Sequence, residues 1–134
     1  MTALTAPILD VHSAPFWEAA RAGKLMIQRC PITGRYLWYP RGHSIYAPGT
    51  VPEWVQASGR GSIFSFSTIY RGNGPIGAPY ICALVQLEEE VLMLTRLVNV
   101  DIADVRVGMQ VEVAFEEFSD EIRLPVFRPK GDHA

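Results

Sequence analysis

Charged residues and cysteines are scarce in this sequence, and each shortage excludes a class of protein. Only 19% of the 134 residues are charged, the net charge is −2, and no run of lysine or arginine occurs. A 49% hydrophobic content excludes a disordered chain, and the missing basic run argues against a nucleic-acid-binding face. The two cysteines, Cys30 and Cys82, lie far apart, so we expect no disulfide framework and a reducing, cytoplasmic location. We also expect no signal peptide, because residues 1–11 lack a charged n-region, and no membrane span, because no apolar run is long enough.

Elements of hydrolytic catalysis are also lacking. None of the three histidines, His12, His43 and His133, stands beside a serine or cysteine nucleophile in an elbow motif, and no Gly-x-Ser-x-Gly occurs. Neither cysteine has a neighbouring imidazole by spacing. The sequence therefore predicts no catalytic residue in this chain.

The hydrophobic residues that are present follow mainly the two-residue period of β-strands. A short helix is predicted between Ser13, a candidate N-cap, and Gly23. Strands are predicted at 24–29, 36–39, 54–57, 61–70, 80–87, 91–97, 111–118 and 122–127. In the segment 111–118, we expect Val111, Val113 and Phe115 to face one side and Glu112 the other.

These elements predict a mostly β protein: a short N-terminal helix and a degenerate rubredoxin-like zinc-ribbon hairpin, followed by a five-stranded OB-fold barrel. The predicted divisions are an arm (1–12), the helix and hairpin (13–52), the barrel (53–129) and a tail (130–134).

Two turns in the hairpin region have the spacing of zinc knuckles without their thiols. The first runs from Cys30 to Gly34 and the second from Ser44 to Gly49, and the thiolate positions after Cys30 hold Thr33, Ser44 and Ala47. A structural zinc site needs four ligands, whereas Cys30 and His43 together supply two. The sequence therefore predicts no bound zinc, with the hairpin held instead by aromatic packing of Tyr36, Trp38, Tyr39 and Tyr46.

Several short motifs in fixed order carry a family resemblance. They include Phe16-Trp17-Glu18, Tyr39-Pro40-Arg41, the run from Trp54 through Ala57-Ser58-Gly59-Arg60-Gly61, Pro79-Tyr80, and Leu124-Pro125-Val126-Phe127-Arg128-Pro129. In order and spacing, residues 15–129 resemble the DUF35 family, which combines a zinc ribbon with an OB-fold and is associated with acyl-CoA enzymes.

The resemblance implies a non-catalytic accessory subunit of a thiolase-fold enzyme. Such enzymes include thiolases and the retro-aldolases that cleave steroid side chains from CoA thioesters, so a role in lipid or steroid metabolism is implied. The expected assembly is a hetero-oligomer with a thiolase-fold protein, and a MaoC-type hydratase is a further possible partner. The chain would complete the acyl-CoA entrance, with acyl-CoA as a shared ligand.

Two arginines are candidates for steering the phosphates of CoA. Arg60 lies in the turn Gly59-Arg60-Gly61, and Arg71 begins the glycine-rich loop 71–79. A guanidinium matches phosphate geometry, although a solvated turn charge is an equally good interpretation of either residue. The loop itself is either a flexible connection or a lip that touches the partner.

The aromatic residues of the helix and hairpin are candidates for the partner interface. A thin hairpin cannot bury them all, so we expect a contact surface formed by Trp17, Tyr36, Trp38, Tyr39 and Tyr46. Exposed aromatics on an OB-fold also stack bases, which leaves single-stranded nucleic-acid binding as the alternative function. The missing basic groove weighs against that alternative.

Overall fold

The computed structural model describes residues 12–38, 40–71, 79–119 and 122–130. Nearly all of the predicted arm and tail, together with Tyr39 and the centre of loop 71–79, lie outside the described residues. No helix in the described ranges has the length and apolar character that crossing a membrane requires.

Helix α1 spans Ala14–Arg21 and lies against the strands that follow it in both parts of the fold. Ser13 occupies the predicted N-cap position, but its side chain makes no capping hydrogen bond there. Phe16 and Ala20, four residues apart, form the buried side of the helix. Gly23 adopts a φ of 80°, which ends the helix in a conformation that glycine accepts without strain.

A small antiparallel sheet follows, made of β1 (Met26–Arg29), β2 (Tyr36–Leu37) and β3 (Glu53–Gln56) in the order β2-β1-β3. The central strand β1 is therefore covered on both edges, and Ile27 is fully buried. Because β3 pairs with β1 along its length, residues 53–56 lie with the hairpin sheet and not in the barrel sheet.

The remaining strands close into the five-stranded barrel that the sequence predicts for an OB-fold. Their order is β4-β5-β6-β8-β7, and they comprise β4 (Arg60–Ile69), β5 (Tyr80–Leu87), β6 (Leu92–Leu97), β7 (Gln110–Glu117) and β8 (Arg123–Pro129). All neighbouring pairs are antiparallel except β6 and β8, which run parallel. A single 3-10 turn, Ile102–Asp104, connects β6 to β7. The predicted fold class is confirmed.

The predicted facing of strand β7 is also confirmed. Val111 is buried, and Val113 and Phe115 pack against the core. Glu112 points to the other side, where its carboxylate pairs with Arg128 on β8 at 3.0 Å. Among the described residues, Phe127 on β8 is the largest fully buried side chain.

The barrel depends on a close approach of two strands at Gly61. A Cβ atom at this position would lie 2.5 Å from the carbonyl oxygen of Gln86 and 2.9 Å from Cγ1 of Val85, both on β5. The sequence requires glycine here because no side chain fits between the two backbones.

We predict that Gly61→Ala lowers the free energy of unfolding by about 1–3 kcal/mol, because the methyl group forces β4 and β5 apart. Urea denaturation monitored by circular dichroism measures the change. Ser65→Ala, at an exposed position of the same strand, is the matched control and should stay within about 0.5 kcal/mol. Equal stability of Gly61→Ala and the wild-type protein would contradict the predicted strand contact.

Candidate functional site

The barrel closes weakly between β6 and β8. Among the described residues these parallel strands share one register pair, Leu97 with Phe127, and the next bond runs from the N–H of Val98 to the carbonyl oxygen of Phe127 at 2.8 Å. Farther along, the Thr95 hydroxyl donates to the carbonyl oxygen of Pro125 at 3.3 Å, a long bond in place of a strand ladder. The two strands therefore leave a seam open toward the start of β6.

A cleft of about 1050 Å³ lies over this seam. One wall comes from α1 and the hairpin and includes Phe16, Trp17 and Trp38; the opposite wall comes from β6, β7 and β8. The Phe16 ring meets Trp17 edge to face at 4.9 Å and Trp38 at 5.6 Å, which fixes the aromatic wall. The volume is comparable with that of small-molecule sites, and most of the lining is apolar.

The arginine that lines the cleft is neutralised by a glutamate of the same lining. Arg96 on β6 and Glu116 on β7 both line it and form an ion pair across the seam. Because the guanidinium of Arg96 is already neutralised, and Glu117 also lines the cleft, the chemistry suits an apolar group better than a phosphate.

Apolar side chains are exposed both at the cleft and elsewhere on the barrel. Leu94 lines the cleft and is 58% exposed, and its neighbour across the sheet is Leu84 on β5. On β4, a register shift between Ile63 and Ser65 leaves Phe64 out of the ladder and 54% exposed. Tyr70 at the end of β4 is 73% exposed. The exposed apolar residues of the barrel strands and their ends are thus Phe64, Phe66, Tyr70, Leu92 and Leu94.

The aromatic residues predicted at the interface are less exposed than these apolar side chains of the barrel. Trp17, Tyr36 and Trp38 are half-buried and pack against the core. Tyr46 is also half-buried, and the guanidinium of Arg35 lies 4.2 Å from the centre of its ring. The structure thus brings Trp17 and Trp38 together in the cleft wall and leaves Tyr36 and Tyr46 outside it. Their role at an interface stays a prediction.

The two predicted phosphate-binding arginines lie at opposite ends of β4, separated by roughly 30 Å along the strand. Arg60 already holds Glu88 through two hydrogen bonds of 3.0 and 3.1 Å. This pairing raises the pKa of Arg60 and, with the Ser58 hydroxyl, lowers the pKa of Glu88. Arg71 is exposed beside the undescribed part of its loop. The two arginines therefore do not form one phosphate site, and each role stays a prediction.

The knuckle region contains a buried thiol surrounded by hydrogen-bond donors. Burial of Cys30 raises its pKa, but hydrogen bonds from the hydroxyls of Ser44 and Thr33 and from the backbone of Thr33 and Ile32 outweigh burial and lower that pKa from 9.0 to about 7. The hydroxyls at two former ligand positions, Thr33 and Ser44, therefore lie near the thiol at the third, Cys30. Their donor set, one thiol and two hydroxyls, does not fit a tetrahedral zinc site, and no group of three or more His, Cys, Asp or Glu residues in the described ranges fits a metal ion.

A buried amide that alternation did not identify also holds this region. Gln28 is 3% exposed, although the strand pattern places it among polar positions. Its side-chain oxygen accepts from the N–H of Arg41 at 2.8 Å, and its side-chain nitrogen donates to the carbonyl oxygen of Arg41 at 3.0 Å. This pair of bonds attaches the loop containing the second knuckle to β1. The sequence did not predict this role of Gln28, because no sequence pattern distinguishes a buried glutamine on a strand from an exposed one.

A ribbon-like sheet joined to an OB-fold barrel, with a cleft over the barrel seam, defines a two-part protein of the zinc-ribbon and OB-fold class. Sequence profiles agree with both parts. That of the ChsH2 rubredoxin-like zinc ribbon domain matches residues 17–44, and that of the ChsH2 C-terminal OB-fold domain matches residues 54–116. The chain belongs to the ChsH2 and DUF35 family.

A solved structure and two curated proteins illustrate the relationship. A chain of the Ltp2-ChsH2(DUF35) aldolase superposes with a TM-score of 0.85 and 30% identity, covering 92% of this chain and 98% of that chain. A probable enoyl-CoA hydratase alpha subunit of Thermomonospora curvata is 33% identical over 126 residues, covering 92% of this chain and 39% of the relative. The 3-oxo-4,17-pregnadiene-20-carboxyl-CoA hydratase alpha subunit of Mycobacterium tuberculosis is 35% identical over 120 residues, covering 88% and 38%. The chain thus spans about two fifths of the length of these curated relatives.

We predict that Gln28→Leu lowers the free energy of unfolding by about 1–3 kcal/mol, because it leaves both backbone groups of Arg41 without their partner. Gln28→Glu should also destabilise, since a carboxylate keeps the acceptor but loses the donor. Gln56→Leu on β3, an exposed glutamine of the same small sheet, is the control and should change stability by less than about 0.5 kcal/mol. Denaturant titration of the three variants decides the point, and an unaffected Gln28→Leu would rule out the amide as the attachment of this loop.

Proposed function

We propose that this chain is a non-catalytic accessory subunit of a thiolase-like enzyme that acts on CoA thioesters. The enzyme is a thiolase or a retro-aldolase, with steroid side-chain degradation as the favoured setting. In this proposal the subunit forms a hetero-oligomer with a thiolase-fold protein and completes the entrance through which acyl-CoA reaches the partner's catalytic residues.

The observation that carries the proposal is the match to the chain of the Ltp2-ChsH2(DUF35) aldolase, which extends over nearly all of both chains. The curated relatives named as CoA hydratase subunits support the same substrate class. They also favour a MaoC-type hydratase as a second partner.

The chemistry of the described residues supports an accessory role. Cys30 is fully buried among hydroxyl and backbone donors, and Cys82 is half-buried on the barrel. No histidine is among the groups that shift the pKa of Cys30, and a nucleophile needs an adjacent base or an exposed low-pKa thiolate. Catalysis in the proposed complex is therefore assigned to the partner.

The cleft is our proposed contribution to the acyl-CoA entrance. Its apolar walls suit the acyl part of the thioester, while its one arginine is already paired with Glu116. The phosphates of CoA would lie elsewhere, and Arg60 and Arg71 remain separate candidates for them. Engaging Arg60 would require a phosphate to compete with Glu88.

We propose the rim of the cleft as the centre of the partner interface. Leu94 is the best single anchor because it is exposed and lines the same cleft as Trp38. Trp38 is a less discriminating test residue, since it also packs on Phe16 and its removal would disturb the fold.

Single-stranded nucleic-acid binding has weaker support. The exposed Phe64 and Tyr70 on an OB-fold are suitable for stacking on bases. However, the described part of strands β4 to β6 carries Arg60 and Arg96 as its arginines, and both are paired with glutamates. Salt-sensitive oligonucleotide binding in place of partner binding would favour this alternative.

We expect no thiolase or aldolase turnover from the isolated chain, and turnover when it is mixed with its thiolase-fold partner. The reason is that the described residues provide no nucleophile with a base. An acyl-CoA assay of the chain alone, the partner alone and the mixture measures this. Turnover by the chain alone would contradict the accessory-subunit proposal.

We expect Leu94→Ser to raise the dissociation constant for the partner at least about tenfold, which is roughly 1.4 kcal/mol, because it removes an apolar anchor at the rim. Isothermal titration calorimetry with the purified partner provides the measurement. Ile32→Ser is the matched control, since Ile32 is also exposed but lies in the first knuckle turn, away from the cleft. If Ile32→Ser weakens binding and Leu94→Ser does not, the interface lies on the ribbon and our assignment is wrong.

A further inference from the structure

The N-terminal arm is joined to the fold at the wall of the cleft. Ser13, which directly follows the first described residue, lines the cleft. A Cβ atom at Gly42 would lie 2.9 Å from Cε1 of His12, so the chain enters the fold against the loop that contains the second knuckle. Pro40, at the start of that loop, also lines the cleft. Residues 1–11 are therefore attached beside the opening of the cleft.

The composition of these arm residues favours contact with an apolar surface. Asp10 is their one charged residue, and their branched aliphatic residues are Leu4, Ile8, Leu9 and Val11. A segment that remains in water is typically rich in charged and polar side chains, whereas aliphatic side chains gain free energy when they leave water.

The cleft has a lining that suits a neutral apolar segment. Most of the lining is apolar, and Leu94 is exposed at its rim. Arg96 is paired with Glu116. Glu117 lies directly opposite Arg123 in the ladder between β7 and β8. Because these lining charges have neighbours of opposite sign, an uncharged occupant displaces no ion pair.

Covalent attachment at the cleft wall makes this occupant more effective than the same sequence free in solution. Eleven residues reach up to roughly 35 Å when extended, which is ample to cross a cleft of about 1050 Å³. A short tether also gives the attached segment an effective concentration on the order of millimolar. Even a weak intrinsic affinity is then sufficient to keep the cleft occupied.

We propose that residues 1–11 lie in the cleft of the free chain, with Ile8 and Leu9 as the principal contacts, and that they cover Leu94. The proposal goes beyond the proposed function and does not rest on it, because it concerns the chain before any partner binds. The arm is then an internal competitor that a partner or an acyl group has to displace.

The first experiment measures the accessibility of position 94 in the full-length chain. Leu94→Cys is introduced in a Cys82→Ser background, in which the remaining cysteine, Cys30, is fully buried, and the rate of labelling by a maleimide is followed. Adding Ile8→Ser and Leu9→Ser should raise this rate at least about threefold, because the polar arm leaves the cleft.

Two controls separate release of the arm from a general loosening of the fold. Thr2→Ser with Thr5→Ser changes polar arm residues conservatively and should leave the labelling rate at position 94 unchanged. Ser65→Cys, on exposed β4 outside the cleft lining, should be labelled equally fast with either arm. Equal rates at position 94 for the natural and the polar arm would overturn the proposal. Protection that disappears on dilution would also overturn it, because the arm of a second copy would then be the occupant.

The second experiment locates the arm without altering its aliphatic residues. A nitroxide is attached to Thr5→Cys in the Cys82→Ser chain, and the broadening of backbone amide resonances is measured by nuclear magnetic resonance. Outside the arm and the start of α1, we expect the strongest broadening at Leu94 and other cleft-lining residues. Strongest broadening at Ile32 or Val107, which are exposed apolar residues away from the cleft, would overturn the proposal, as would no broadening of the cleft lining.

Discussion

Closure of the barrel between β6 and β8 is the constraint on which the rest of the structure depends. These strands run parallel, and the described contact between them is short, centred on Leu97 and Phe127. A barrel with a short closing contact needs help from outside the sheet. Helix α1 and the hairpin provide it by packing against β8 and against the core through Phe16 and Trp38. The same arrangement creates the cleft, because the added wall stands over strands that have begun to separate.

The small sheet therefore has a structural task that is independent of any metal. Its central strand β1 is covered on both edges, and one of its residues, Gln28, attaches the following loop. The two hydrogen bonds of Gln28 are partly buried. A ribbon supported in this way tolerates the loss of three thiolate ligands, provided that the remaining polar atoms still find partners.

Periodicity was sufficient to predict most of the fold. The strict alternation in β7 identified both the strand and its buried side, and the long polar-apolar segment after Gly61 identified β4. Short strands such as β2, with two residues, were predicted too long because propensity does not report where pairing stops. The number of strands was easier to infer than their partners. The assignment of β3 to the hairpin sheet depends on contacts between distant residues, which no local pattern contains.

The candidate site was predictable only in part, for a related reason. Trp17 and Trp38 were identified as aromatics that needed a surface, and both line the cleft. Their partial burial, the pairing of Arg96 with Glu116, and the engagement of Arg60 by Glu88 all arise from the folded arrangement of strands. A single sequence gives residue types and spacing. It does not indicate which charged side chains are already paired with one another. That pairing determines which ligands each site can bind.

The bulge at Phe64 has a consequence for evolution of the barrel surface. The register shift reverses the alternation of side chains along β4. Positions that would face the interior by the pattern before the shift face outward after it. A single insertion or deletion near this point would exchange the side chains presented outward from the distal half of β4 without moving the buried Ile63 or the closing strands. The fold thus contains a place where its outer surface can diverge while its interior is preserved.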